Sequence, residues 1–502
     1  MKGGLCPPPH LRPHLLRRAP PAPDPDLLPD ILDLAGDPDR YHAFERAAAR
    51  VNHCAHPIRL HGCTHQADRQ TGELREVYST EHEPGRVLLV PCGNRRASVC
   101  PACAETYRQD AYQLLRAGLA GGKGVPESVA EHPALFVTFT APSFGPVHAT
   151  RTTRAGRLLP CQPRRHARTC PHGVRLDCRR VHPTGDPTIG APLCPRCYDY
   201  AGALLWNARA PELWRYTLTY LDRALARALG VSTTGLRRIA RREFAKVAEY
   251  QARGLIYFHA ILRLDAATPK GEPKQYAPPP PQLDTDLLAF ALRAAAGKAA
   301  VPVPDPDDPT VTRLVRWGDQ LDIRPITAGT GGKVTPEQVA GYVAKYATKH
   351  TEALGPSLDH RLDHEDITRL PHRRRLRPHI TRLVQAAWTL GGSPHLAGLR
   401  LRAWAHQLGF GGHWSTRSRA YSTTMTALRR ARRTFQHTRG GTRTPLDAWG
   451  RPESEAAVLV LKQFTYAGRG WRTEAERWLA VAAAARAREH RRLARQERAT
   501  AA

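Results

Sequence analysis

Two tyrosines, Tyr342 and Tyr346, stand four residues apart, interleaved with Lys345 and Lys349 at the same spacing. Residues four apart share one face of a helix. The segment 335–350 carries the start signals of a helix: Thr335 as N-cap, Pro336 at the first helical position and Gln338 to complete a capping box. The Ala, Gly, Lys and Thr residues around the tyrosines leave that face poor in the apolar character of a core helix. A phenol oxygen can attack a phosphodiester, and a nearby ammonium can stabilise the phenolate or the charge developing on phosphorus. The pair therefore points to covalent phosphoryl chemistry.

The 11 cysteines hold a second chemistry. Cys92, Cys100 and Cys103 end in a Cys-x2-Cys knuckle, which sets two thiolates on one tetrahedral ion. Cys54 is the first choice for the fourth ligand, ahead of Cys63, His61 and His53. A second block holds Cys161, Cys170, Cys178, Cys194 and Cys197. Here the knuckle Cys194–Cys197 is completed by Cys170 and Cys178, with His172 and His182 as competitors. The turn formers and charges around both blocks cannot build an apolar core, so structural zinc is the expectation.

These groups need elements to position them. Residues 254–265 (GLIYFHAILRLD) read as the clearest strand, with Tyr257, His259, Ile261 and Arg263 on one face and Phe258, Ala260 and Leu262 on the other. A histidine on such a strand is, alone, an ordinary core residue. Further strands are expected at 134–140 and 319–326, and helices at 37–52, 104–120, 199–229, 234–250 and 284–300. Residues 54–103 read as Cys- and turn-rich. The C-terminal third reads as helical and basic, ending in an amphipathic helix over 472–502.

The 502 residues carry a formal net charge of +30, from 75 Lys+Arg against 45 Asp+Glu. That excess calls for a polyanionic partner. Residues 367–446 contain 16 Arg and no Lys, Asp or Glu, a stretch that would repel itself unless phosphate supplied the counter-charge. Within it, Arg417, Arg419, Arg429 and Arg430 are candidate DNA contacts, and Trp414 and Tyr421 candidate stacking residues; Trp388 and Trp404 read as core. A hydrophobic content of 41% excludes wholesale disorder. No apolar stretch is long enough to span a bilayer, and the N-terminus has no secretory core. The expectation is a cytoplasmic protein with reduced cysteines.

Taken together, FVTFT (136–140), RGLIYFHAILRLD (253–265) and YVAKYATK (342–349) resemble, in order, the motifs of rolling-circle replication initiators of the HUH endonuclease superfamily. With CGNRRASVCPAC, TFTAPSFGPVH, LCPRCYDYAGALLWN and GFGGHWSTRSRAYSTT added, the chain is similar over roughly residues 35–435 to the RepSA-like initiators of integrative plasmids from high-GC bacteria. The resemblance implies metal-dependent nicking of origin DNA, duplex and single-stranded, through a 5′-phosphotyrosine link. Tyr342 and Tyr346 would be the nucleophiles, assisted by Lys345 and Lys349. Mg²⁺ or Mn²⁺ would be held by His259, with Glu249 as a carboxylate ligand. The superfamily pattern is His-hydrophobe-His, and this chain has Tyr257 at the first position, where it is either part of the site or β-favouring packing. No Gly-x4-Gly-Lys-Ser/Thr loop occurs, so a host helicase is an expected partner.

The expected fold class is α+β: an HUH-type central antiparallel sheet faced by the tyrosine helix, with inserted zinc modules and a basic helical C-terminal region. The expected divisions are a mobile Pro-rich N-terminus (1–35), a zinc-binding module and helix (36–133), a nuclease domain (134–350), a basic helical DNA-binding region (351–446) and a helical tail (447–502). The nuclease domain would be interrupted by a zinc module (161–197) and a Pro-rich linker (266–310). The alternatives are a catalytically inactive, zinc-stabilised DNA-binding regulator, favoured by Tyr257, and a relaxase or transposase of the same fold.

Overall fold

The computed structural model describes residues 24–153, 155–269, 271–272, 275–327, 334–348, 358, 360–372, 376–439 and 458–500. The chain opens with α1 (Leu28–Gly36), α2 (Pro38–Arg50), β1 (Ile58–Asp68), β2 (Leu74–Ser79), β3 (Leu88–Val90) and α3 (Pro101–Ala120). Next come β4 (Ala134–Phe139), β5 (Arg151–Thr152), β6 (Leu158–Gln162), β7 (Cys178–Val181), α4 (Tyr200–Ala228) and α5 (Thr233–Ile239). The middle holds β8 (Ala240–Tyr250), β9 (Ile256–Ala266), α6 (Thr285–Lys298), β10 (Val301–Pro304), β11 (Thr312–Val315), β12 (Leu321–Pro325) and α7 (Pro336–Tyr346). The chain ends with α8 (His364–Arg369), α9 (Pro378–Leu390), β13 (Ser415–Arg417), α10 (Met425–Arg439), β14 (Val458–Arg469) and α11 (Glu474–Thr500). The result is a mixed α+β protein with antiparallel sheets. No helix among the described residues is long and apolar enough to cross a membrane.

Two compact units result. One is built from Ala111–Thr424, the other from the described residues up to Asp110 and from Met425 onward. The first unit centres on a five-stranded sheet ordered β12-β4-β9-β8-β13, with every neighbouring pair antiparallel. Its apolar face carries Leu135, Val137 and Phe139 of β4 and Phe258, Ala260 and Leu262 of β9. These pack against Trp206, Leu213, Leu221, Leu288 and Leu292 of α4 and α6. Each such side chain contributes roughly 1.5–3 kcal/mol on burial. Asn207 of α4 fastens the β8–β9 hairpin: its Nδ2 donates to the Gly254 and Leu408 carbonyls, each at 2.9 Å, and its Oδ1 accepts from the Ile256 amide at 3.0 Å. Gly254 turns that hairpin at φ +79°, where a Cβ would meet Leu383 at 2.6 Å.

Several expectations are corrected here. Residues 240–250, expected to continue a helix from 234, form β8; only Thr233–Ile239 is helical. Residues 266–310 are no mere linker, because α6 buries Leu288, Ala291, Leu292, Ala295 and Ala296 in the main core. The turn-rich reading of 54–103 gives way to β1, β2 and β3. The expected mobile segment 1–35 ends in α1, and residues 1–23 lie outside the described residues.

In the second unit, β1 pairs with β14 along Ile58–Asp68 and, on its other edge, with β2 and β3. The C-terminal region is therefore not wholly helical, since β14 is a strand whose partner lies some 400 positions earlier in the chain. The cores of this unit are small. One joins Leu34, Phe44, Ala48, Leu479 and Ala480. The other is built around Cys54, Cys100 and Cys103 with Val51, Ala55, Ala102 and Ala484.

Candidate active site and metal centres

Strand alternation assembles a polar site on the other face of the main sheet. Directly paired residues of antiparallel strands share a face. Register sets His259 of β9 between Thr138 of β4 and Val247 of β8, and Tyr257 opposite Glu249. α7 lies over this face. The capping box expected from Thr335 and Gln338 is present. Val339, Ala340, Val343 and Ala344 bury one side of α7, which leaves Tyr342 and Tyr346 half-buried above His259.

His259 is 2% exposed. Its Nδ1 is 3.0 Å from Thr138 Oγ1 and its Nε2 is 3.4 Å from the Tyr342 hydroxyl and 3.8 Å from Glu249 Oε2. With Nδ1–H donated to Thr138, the Nε2 lone pair faces Tyr342 and Glu249. Burial holds the imidazole down to about 3, so it stays neutral at physiological pH. The Tyr257 hydroxyl donates to Glu249 Oε2, and its ring meets His259 edge-on at 4.8 Å between centroids. The Tyr342 and Tyr346 rings are 4.7 Å apart, and each also packs on His259.

Burial pushes all three phenols upward, and the Glu249 carboxylate adds to each shift. The hydrogen bond the two hydroxyls share offsets part of the rise at Tyr342 and adds to the rise at Tyr346. The Lys345 ammonium lies 5.6 Å from the centre of the Tyr346 ring. Lys349 lies outside the described residues.

Glu249 and His259 suit a divalent cation. A neutral imidazole with its other nitrogen fixed and one carboxylate make a donor set that Mn²⁺ accepts, and Mg²⁺ commonly binds through one or two carboxylates plus substrate phosphate. The phenol of Tyr257, two residues before His259 on the same face, spends its hydrogen bond on Glu249.

The cysteines form separate groups. Cys54, Cys92, Cys100 and Cys103 converge, with sulfur–sulfur distances of 3.7 Å (Cys92–Cys103 and Cys100–Cys54) and 3.6 Å (Cys103–Cys54). A regular tetrahedron with 2.3 Å zinc–sulfur bonds has edges of about 3.8 Å. Hydrogen bonding among the Cys54, Cys100 and Cys103 sulfurs holds Cys100 well below the usual thiol range. Cys170, Cys194 and Cys197 converge with His172, whose Nδ1 is 3.2 Å from Cys197 Sγ and 3.7 Å from Cys194 Sγ. Cys178 is not their fourth member. It starts β7, pairs with Gln162 of β6, and so lies beside Cys161 with His148 and His182. The sequence reading gave His148 no role.

The basic region divides in the same way. Tyr421 is fully buried, its hydroxyl donating to the Leu115 carbonyl at 3.0 Å, and is a core residue rather than a stacking surface. Trp414 packs on Tyr250 and Phe410, each 5.2 Å away. Arg419 is exposed. Arg417 pairs with Ala245, which pairs with Ile261, and so stands on the sheet face of His259. Arg429 and Arg430 are exposed on α10, with Arg429 3.9 Å from the buried Asp110 carboxylate.

No solved structure matches the chain. A replication initiator protein from Streptomyces ambofaciens is 43% identical over 452 residues, covering 89% of this chain and 90% of that protein. The RepSA family model, described as replication initiator protein, pSAM2, matches residues 40–485, a span that includes the tyrosine helix, the His259 strand and all the cysteine groups. The chain belongs to the RepSA family of replication initiator proteins.

Proposed function

We propose that the protein starts rolling-circle replication of a plasmid by nicking its origin with a tyrosine on an HUH-type sheet. The observation that carries this reading is the convergence of Tyr342, His259 and Glu249 on one polar sheet face, within 3.4 and 3.8 Å of the same imidazole nitrogen. A scissile phosphate brought there meets a phenol, a neutral imidazole and a carboxylate. Tyr342 Oη attacks phosphorus and the bond to the 3′ oxygen breaks. The phenol gives up one proton and the departing oxygen takes one, leaving a 5′-phosphotyrosine and a 3′-hydroxyl primer. Mg²⁺ or Mn²⁺ bound by His259 and Glu249 supplies Lewis acidity toward the phosphate. Tyr342, whose hydroxyl lies 3.4 Å from His259 Nε2, acts first, and Tyr346 resolves the product of the replication round. Lys345 and Lys349 assist with charge.

The same reading assigns structural zinc to the four-cysteine group (Cys54, Cys92, Cys100, Cys103) and to the group of three cysteines and one histidine (Cys170, His172, Cys194, Cys197). Origin DNA binds through Arg417, Arg419, Arg429 and Arg430, and a host helicase in the cytoplasm unwinds the template. The test is incubation of the full chain with single-stranded DNA carrying its own element's origin, with Mn²⁺ or Mg²⁺, on denaturing gels. A covalent protein–DNA adduct that disappears in the Tyr342→Phe/Tyr346→Phe double variant supports the reading. Tight origin binding with no adduct under either metal favours the DNA-binding regulator, in which Tyr257 has displaced a metal ligand.

A further inference from the structure

We propose that His148, Cys161, Cys178 and His182 form a further zinc centre, oriented by Asp186. Their four ligand atoms lie within 4.8 Å of one another. His148 Nδ1 is 3.2 Å from His182 Nε2, and Cys178 Sγ is 3.4 Å from the same Nε2. A tetrahedral ion with bonds near 2.05 Å to nitrogen and 2.3 Å to sulfur requires edges of about 3.3 Å between nitrogens and about 3.6 Å between nitrogen and sulfur. The observed edges fall within about 0.2 Å of both.

The surroundings are those of a metal ligand set. His182 Nδ1 is 2.7 Å from Asp186 Oδ2, so its N–H is committed to a carboxylate and the Nε2 lone pair faces the cluster. Carboxylate–histidine pairs of this kind orient metal-binding imidazoles. Asp186 is itself fixed by the Thr188 amide at 2.8 Å and hydroxyl at 2.6 Å. The Ala149 amide donates to Cys161 Sγ at 3.2 Å, a contact that favours a thiolate. Cys161, Cys178 and His182 are buried. Two thiolates and two imidazoles on Zn²⁺ carry no net charge, which suits a buried site.

The segment needs such a centre. Among the described residues between Val147 and Tyr198, no side chain belongs to the main apolar core of the unit, the buried hydrophobic ones are Cys161, Cys170, Cys178 and Cys194, and the three short strands β5, β6 and β7 form the only sheet. The centre braces the loop after His182. The His148 amide donates to the Ala191 carbonyl and the Gly190 amide to the His148 carbonyl, each at 2.8 Å. Gly190 then lies so close to the 251–254 turn that a Cβ there would meet the Ala252 backbone at 2.3 Å. That turn leads into the strand of Tyr257 and His259.

The deciding measurement is zinc per chain in the purified full-length protein, by elemental analysis and native mass spectrometry. The expected values are three for the wild type and two for Cys161→Ser and for His182→Ala, with thermal unfolding confirming that these variants are folded. Asp186→Asn should keep three zinc ions but release one to a chelator with an affinity about 10–100-fold weaker. That variant carries the test if the ligand variants fail to fold. Two zinc ions in the wild type, three in His182→Ala, or unchanged release from Asp186→Asn would each overturn the proposal.

Discussion

The register that brings Glu249 to His259 also forces Lys246 into the core. On a strand, positions 246 and 249 point to opposite faces. Lys246 pairs with Ala260 on the apolar side, is 4% exposed, and sets its ammonium 3.8 Å from the centre of the Phe258 ring. Burial pulls its pKa from 10.5 to about 7. A folded-state pKa below the unfolded one means that the unfolded chain binds more protons between pH 7 and 10.5, so stability rises with pH across that window. At 1.36 kcal/mol per pH unit, the buried ammonium costs about 4 kcal/mol at pH 7. The ring face returns up to about 2 kcal/mol. Lys246→Met keeps the length and removes the charge, so it should stabilise the protein by about 2–4 kcal/mol at pH 7. That advantage should vanish by pH 10.5. Urea unfolding of wild type and variant, followed by circular dichroism at pH 7, 9 and 10.5, reads the difference directly. A difference of zero, or one independent of pH, would mean that Lys246 reaches water. The alternation that carries Glu249 to the site would then be wrong.

Other consequences are open to direct measurement. Cys100→Ser should cost one zinc ion and unfold the unit that contains it, because structural zinc contributes about 10–16 kcal/mol in small peptides, as much as a whole domain's stability. The indole of Trp471 donates to the Cys54 carbonyl at 2.9 Å, so its emission should shift to the red. Tyr421→Phe should lower stability by about 1 kcal/mol, the net worth of one buried hydrogen bond, and leave DNA affinity unchanged; Arg419→Ala should leave stability alone and reduce the slope of log affinity against log salt by about 1. Tyr257→His frees Glu249 and adds an imidazole beside His259. Calorimetry should show tighter Mn²⁺ binding, and equal or weaker binding would contradict the assignment of this face as the metal site.

The tyrosine helix was legible because its signals are local: an N-cap, a proline, a capping glutamine and two aromatics four apart. The β9 strand was legible for the same reason, through alternation and β-branched residues. β8 was not. Ala240–Tyr250 is rich in Ala, Glu, Lys and Arg, all good helix formers, and its 11-residue pairing with β9 overrides that preference. β14 was missed because its partner, β1, lies at the far end of the chain. The four-cysteine group could be read because one knuckle left one ligand to find. In the second block, five cysteines and several histidines admit many groupings, and only the β6–β7 register sends Cys178 to Cys161. Tyr421 lies in a loop whose composition gives no sign that it seals α3 against the sheet.

The central claim is that Tyr342 becomes covalently joined to DNA, and trypsin separates the two tyrosines. Cleavage after Lys333 and Lys345 yields VTPEQVAGYVAK with Tyr342, and cleavage after Lys345 and Lys349 yields YATK with Tyr346. The measurement is mass spectrometry of the nuclease-trimmed adduct formed in one round with Mn²⁺ on single-stranded origin DNA. A nucleotide on the Tyr342 peptide, moving to the Tyr346 peptide in Tyr342→Phe, is the predicted result. A nucleotide on neither peptide, with the adduct intact, would contradict the account.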